Sequence, residues 1–487
     1  MSNPFKYTTV AAMIFLLSNS ALAKDNKDNI EILLKELNSQ IKDLKSQVNE
    51  SNSRINLLEK ELQRKSNTET QVTKVSQGNT SGNSEISSTK PTENEKKWVS
   101  VGDVKGTIKI PGTNTSIGIG GYVKTDVIYN SVSAGNGRLG DQVLVPSQIP
   151  VGGAPGEHSQ ITFNAKESRL WFKSFTPSSW GDINTYVEMD FYGNPGTYTF
   201  VPRLRHAYGT LGNLLAGQTW STFLNVAALA DHLDLGISSG SVGQFHPMVR
   251  WTQPFKLSEI PMELQLAAEI PKSIIWVDQK FDPTSTVKSG SKDPNTDAYF
   301  TIPNSDRYPD LVARLNFNPE WGSLSLMGMG RQIRYTNSTG IVREEWGGSF
   351  GVAGKVKTFG LDNIRFMGHY GSSHARYMMI NGTFADASID SEGSFDLSTY
   401  FGGMLSYQHW WNKSWHSSLT YGIAQADYPA YVNPVLTHRA QDVHVNLLWS
   451  PITPAMLGVE YLYATRELID GRDGDLNRVQ FSAKYSF

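Results

Sequence analysis

The sequence predicts an all-β fold, a transmembrane antiparallel β-barrel of about sixteen strands preceded by an N-terminal α-helical coiled coil. Two observations predict the barrel. Stretch after stretch alternates apolar and polar residues, and the connections between stretches alternate in length. A third observation predicts the coiled coil: apolar residues recur every three and four positions over residues 28–65.

Side chains alternate across a strand, so a strand with one face in lipid and one in water is apolar at every second position. In "SIGIGGYVKTDVIY" (116–129), Ile117, Ile119, Val123, Val127 and Tyr129 share one face and Lys124 and Asp126 the other. "INTYVEMDFY" sets Ile183, Val187, Met189 and Phe191 against Glu188 and Asp190. "MELQLAAEI" sets Leu264, Leu266 and Ile270 against Glu263, Gln265 and Glu269, and "VHVNLLW" aligns Val443, Val445, Leu447 and Trp449. The terminal "RVQFSAKYSF" repeats the pattern, with Phe481, Tyr485 and Phe487 opposite Arg478, Gln480 and Lys484.

Short connections fall at 176–182, 210–213, 318–322, 411–414 and 450–454. Longer ones fall at about 130–158, 221–245, 271–307, 371–395 and 425–437. A soluble sandwich has no reason to gather its long loops at one end, whereas an outer-membrane barrel has short periplasmic turns and long extracellular loops. An even strand count puts both ends of the barrel domain, and so the coiled coil, in the periplasm. Trp180, Trp251, Trp321, Trp346, Trp410 and Trp449 lie near strand ends, where interfacial aromatics belong.

Upstream of the barrel the chain divides into three parts. Residues 1–23 carry Lys6, an apolar run and small residues at Ala21 and Ala23, the layout of a signal peptide. In 28–65, Ile30, Leu37, Leu44 and Leu58 occupy one heptad position. Leu34, Ile41, Val48, Ile55 and Leu62 occupy the other, with Ser51 breaking the seam. Leu at most a positions with Ile or Val at several d positions leans towards a trimer. Residues 66–97 hold too little apolar surface to fold and read as a linker, leaving 98–487 for the barrel.

Composition bounds the function. The chain has no Cys, so disulfides contribute nothing, and its net charge of −2 gives no reason to propose nucleic acid. H-E-x-x-H is missing and there is no Cys nucleophile, so no enzyme is expected and no cofactor is implied. His409 and His416 face each other across a turn and read as wall decoration rather than a metal site. "DGRDGDLN" lacks the spacing and the final Glu of an EF-hand.

The informative residues are the inward-facing charges. Alternation turns Arg169, Lys173, Arg203, Arg205, Arg250 and Arg314 inward, with Glu188 and Asp190 on the same side; Arg331 and Arg365 extend the set. Guanidinium groups along an aqueous channel favour anions and pair carboxylates bidentately. The competing reading is that Arg169, Arg203 and Arg205 pair with Glu188 and Asp190 and only brace the wall. The loop 221–245 contains a helix-like run, Leu224–Ala230, followed by Asp231 and Asp234. Folded inward, it would narrow the channel and set these carboxylates across from the arginines.

The stretches "GYVKTDVIY", "ESRLWFKSFTP", "GDINTYVEMDFYG", "PRLRHAYGTLGNLLAGQTWSTF", "MVRWTQP", "PDLVARLNF" and "VEYLYATRE" resemble the DcaP-like trimeric outer-membrane porins. The resemblance covers nearly the whole barrel and the order of the segments before it. It implies a sixteen-stranded homotrimer with a periplasmic coiled coil, admitting small, mostly anionic solutes such as dicarboxylates. Arg169, Lys173, Arg203, Arg205 and Arg250 match basic positions of the family's motifs. The implied partners are outer-membrane lipid, the barrel-insertion machinery reading Phe487, and peptidoglycan or a periplasmic protein at the coiled coil. The alternative is a trimeric adhesin or scaffold on a coiled-coil stalk. It fits less well, because trimeric autotransporters contribute only a few barrel strands per chain.

Overall fold

The computed structural model describes residues 100–134, 139–152, 158–194, 200–285, 300–303, 305–379 and 383–487. The expected signal peptide (1–23), coiled coil (28–65) and linker (66–97) lie outside the described residues.

Sixteen strands form the wall, each antiparallel to its neighbours. They are β1 (Ser116–Asn130), β2 (Gln160–Asn164 and Arg169–Thr176, interrupted), β3 (Ile183–Asp190), β4 (Arg203–Leu211), β5 (Leu214–Trp220), β6 (Phe245–Leu257), β7 (Ile260–Glu269) and β8 (Asp310–Phe317). There follow β9 (Gly322–Thr336), β10 (Val342–Lys357), β11 (Asn363–Ser372), β12 (Thr399–Trp410), β13 (Trp415–Asp427), β14 (Thr437–Ile452), β15 (Ala455–Leu468) and β16 (Asp473–Ser486). A ribbon of Ser100–Val101 and Ile108–Lys109 adds to the start of β1.

The sheet closes on itself. β16 pairs with β1 over nine residue pairs, from Arg478↔Asn130 to Ser486↔Tyr122, and Phe487 exchanges two further backbone hydrogen bonds with Gly121. In hydrocarbon each unpaired backbone group costs several kcal/mol, so an open edge of this length is not viable and closure is obligatory. The alternation expected from the sequence is the alternation found. Along β1, Ile119 is 62% exposed while Lys124 is 3% exposed; along β16, Phe481 is exposed and Arg478 fully buried. The outward face is apolar because it is solvated by lipid rather than by water.

Seven short turns join the strands at one end, and Trp180, Trp321 and Trp411 stand exposed in three of them. Most of the long connections gather at the other end and pack on one another. Ile275–Val277 runs parallel to Ala387–Ile389, which pairs with Phe395–Leu397, making a three-stranded sheet from two loops. Trp276, Ile275, Val277 and Ile389 are buried there with Val432, Leu436 and Ile333. The apolar core therefore sits inside the barrel and across its long-loop mouth, and the wall surrounds it.

Candidate functional site

The inner surface is shaped by the loop 221–244, between β5 and β6. It leaves β5 held by Glu269, whose carboxylate accepts from the Thr222 amide at 2.6 Å. Phe223 and Leu224 then bury against Met327, Met329 and Ala353. The expected helix over Leu224–Ala230 is a single 3-10 turn, Val226–Ala228, capped by Asn225, whose side chain accepts from the Ala227 amide. One turn suffices because the loop follows the curved wall and takes its hydrogen bonds from it.

Those anchors run strand by strand. Asn225 donates to Ser325 on β9, and Arg365 on β11 donates to the Leu229 carbonyl at 2.6 Å. Gln408 on β12 and His416 on β13 reach the Asp231 carboxylate at 3.0 and 2.9 Å. Glu460 on β15 accepts from the Leu233 and Asp234 amides, and Lys124 on β1 donates to the Leu233 carbonyl. The return limb packs Gly240 against the backbone of Gly403 and bonds the Ser239 amide to Asp442. The loop thus lines the inside of β9 to β1 and touches β6 and β8 at their long-loop ends, where Met248 and Val312 are buried against it, leaving the rest of the β2 to β8 face free of it.

The expected transverse pair of carboxylates is not formed. Asp234 is fully enclosed, bonded to the Arg478 guanidinium and to the Leu144 and Gly236 amides. Asp231 turns to His416 and Gln408 on the wall. Burial pushes its carboxyl up, but the hydrogen bond and charge of His416, together with Arg365, outweigh that and hold it below the ordinary carboxylate range. Both aspartates anchor the loop because the nearest cations are on the strands directly behind it. Next to them, the His232 ring stacks on His444 at 4.1 Å with an interplanar angle of 9°. Burial first, then the neighbouring His444, lowers its pKa to about 4.

The predicted cations divide into two groups. Arg203 forms a two-pronged pair with Asp190, at 2.9 and 2.6 Å. Arg205 joins Glu188 at 2.8 Å and Asp190 at 3.1 Å, and Arg169 stands 3.6 Å from Glu188. For these three the bracing reading is the structural one. Arg331 is also spent, 3.2 Å from Asp310 and 3.1 Å from Asp386 with no exposed surface, and Arg365 is used on Asn363, Gln408 and the loop.

Arg250 on β6 and Arg314 on β8 form the other group. Both face inward on the side that the loop leaves open, two strands apart across Gln265 and Ala267 of β7. Among the described residues neither has a carboxylate within 4 Å. Among the described residues, the polar and ring contacts of the Lys173 ammonium are the Lys105 carbonyl, at 3.5 Å, and the Trp171 ring. Lys355, inward on β10 opposite Arg365, was missed by the sequence reading. The alternation Phe350, Val352 out and Gly351, Ala353, Lys355 in marks it. His409 bonds Asp362 at 2.7 Å, and among the described residues no cluster of His, Asp and Glu is arranged to hold a metal.

Comparison with known proteins agrees with this architecture. The sequence profile of a family described as DcaP outer membrane protein matches residues 16–257 and 295–487. Among solved structures, the outer membrane channel DcaP of Acinetobacter baumannii superposes with a TM-score of 0.62. It is 24% identical over 77% of this chain and 97% of that one. An anion-selective porin from Comamonas acidovorans (12% identical, TM-score 0.46) covers 77% of this chain and 100% of its own. OmpT of Vibrio cholerae (10% identical, TM-score 0.46) covers 77% and 98%. No curated protein matches the sequence.

Proposed function

Because this chain belongs to the DcaP outer membrane protein family, a family of outer-membrane porins, we propose that it is a passive channel preferring small hydrophilic anions, dicarboxylates among them. The observation that carries the preference is the Arg250–Arg314 patch, inward, on the loop-free wall and unpaired among the described residues. A carboxylate passing at about 4 Å gains roughly 1 kcal/mol from one such charge in bulk-like water, and roughly 4 kcal/mol at an effective dielectric near 20. Even the lower value is about a fivefold preference over a neutral solute, and the planar guanidinium adds bidentate geometry. The braced arginines of β4 contribute little net field, since Glu188 and Asp190 neutralise them locally.

The chain works as a homotrimer in lipid, with residues 28–65 as the periplasmic trimerisation segment and 1–23 as the export signal. Phe487 serves both the seam with Gly121 and recognition by the insertion machinery. The test is a reversal potential across a KCl gradient with the purified full chain in a planar bilayer. An anion-selective reversal potential that moves towards cations in Arg250→Glu/Arg314→Glu supports the reading. No ion current, or selectivity unmoved by the double substitution, overturns it.

A further inference from the structure

We propose that the open wall of β2–β6 is a binding track for carboxylated sugar rings, a uronic acid or a short chain of them. The proposal rests on the channel reading above and names the solute that this wall recognises best.

The track is a chain of inner-wall rings. Trp171 on β2 stacks beside Tyr186 on β3 at 6.2 Å, and Tyr186 neighbours Tyr208 and His206 on β4 at 5.9 and 5.7 Å. His206 meets Phe245 of β6 edge-on at 5.0 Å, and Phe245 stacks on Trp220 of β5 at 3.9 Å. Except for His206 these rings are only half-buried. A wall that merely encloses water has no use for such a row. The loop-covered half shows the contrast: Gly351, Ala353, Gly422 and Ala424 occupy inward positions there because the loop fills the space.

Two kinds of polar group flank the rings. Lys173 stands 5.4 Å over Trp171, and Arg250 lies two strands on from Tyr208, across Leu215 and Gly217 of β5. Both are cations with no carboxylate partner among the described residues. At the turn end the track opens on a niche of about 360 Å³ lined by Lys173, Asn184, Tyr186, Tyr208 and Thr210, with Thr107 from the N-terminal ribbon. Its volume falls in the range of small-ligand sites, ~300–1,000 Å³. The Tyr208 hydroxyl has no hydrogen bond among the described residues.

Each part of a uronic acid meets a matching group here. The C–H face of the pyranose lies on an aromatic ring, whose negative face favours the polarised hydrogens. The ring hydroxyls exchange hydrogen bonds with Asn184, Thr210 and Tyr208, each of which can donate and accept. The carboxylate goes to Lys173 or Arg250. An acyclic dicarboxylate uses only the cations, and an aromatic acid leaves the niche to water.

The test compares three probes of like charge at neutral pH, digalacturonate, succinate and phthalate, as blockers of KCl current through the full-length protein. Digalacturonate should block at about one-tenth of the concentration that either of the others needs. Trp171→Ala and Tyr208→Ala should bring the digalacturonate-to-succinate ratio towards one. Tyr208→Phe should keep part of it, and Trp346→Ala on the lipid face should leave it intact. Equal block by digalacturonate and succinate in the unaltered protein overturns the track. Equal block by phthalate overturns its assignment to sugars, since ring faces alone would then suffice. Both comparisons need no variant to fold. A protein with no ion current overturns the channel reading itself, a result distinct from either.

Discussion

Arg331 and Arg250 are the same residue type on the inner face of one wall, and the structure uses them in opposite ways. Arg331 lies between Asp310 and Asp386 and donates to the Ser373 and Lys272 carbonyls at 2.7 and 2.8 Å. Burial pushes the Asp386 carboxyl up, against the pull of Arg331. Removing one partner of a buried pair leaves an uncompensated charge, so Arg331→Ala should cost about 3–5 kcal/mol. Urea unfolding in detergent micelles, followed by the shift in gel mobility on heating, checks this. Arg250→Ala should leave that midpoint within about 0.5 kcal/mol, since it breaks no ion pair, while weakening anion preference in the bilayer. Alternation in the sequence identified both residues as inward. It could not separate them, because the partner Asp386 is 55 positions away and reaches Arg331 only through the docking of a loop. For Arg203 and Arg205 the sequence left bracing and free charge both open, since their carboxylates are on the neighbouring strand and register alone decides the pairing.

At the scale of elements, the strands were legible and the inner loop only partly so. Lipid on one side and water on the other impose a period of two along the wall strands, broken at the register shift of β4 where Arg205 and His206 are both buried. The loop has no such solvent rule, because its contacts are with wall residues up to 247 positions away. A signal was nevertheless present in the small inward residues of β10 and β13, Gly351, Ala353, Gly422 and Ala424, which make room for a loop. Gly240 tests that fit. A β-carbon there would lie 1.8 Å from the Gly403 carbonyl oxygen, a contact between two backbones that no rotamer relieves. Gly240→Ala should lift the return limb and raise open-channel noise or conductance in single-channel records. Acid should loosen the same loop. A free His232 takes up a proton near pH 6.5, but the docked ring does so only at about 4. The released state therefore binds more protons between these values, and docking weakens as pH falls through them, by on the order of 3 kcal/mol at full effect. Asp231 acts in the same direction below the ordinary carboxylate pKa, since its depressed value contributes docking stability that acid removes. His444, Asp442, Glu460 and Asp234 are the other titratable groups facing this stack. Current fluctuations should appear between pH 6.5 and 4 and flatten in His232→Phe; a trace unchanged over that range would count against the stack as the sensitive joint.

At the scale of the whole molecule, one side chain ties the closure of the barrel to the shape of its interior. Arg478 sits on the closing strand. Its Nε donates to Asn130 across the seam at 2.7 Å, one terminal nitrogen meets Asp234 in the inner loop, and the other the Gly140 carbonyl in the first loop. The backbone ladder of β16 and β1 does not depend on that side chain, so Arg478→Met should still give a closed, heat-modifiable barrel. What it removes is the counter-charge of Asp234, which has no exposed surface to recover solvation. The expected loss is again about 3–5 kcal/mol, most of it the cost of a stranded carboxylate rather than of lost attraction. That attribution has a definite test. Adding Asp234→Asn to Arg478→Met should recover a large part of the stability, because the amide is neutral and still accepts from the Leu144 and Gly236 amides. If the double variant is no more stable than the single one, the seam depends on Arg478 through packing, and the charge of the inner loop has no part in holding the barrel's interior together.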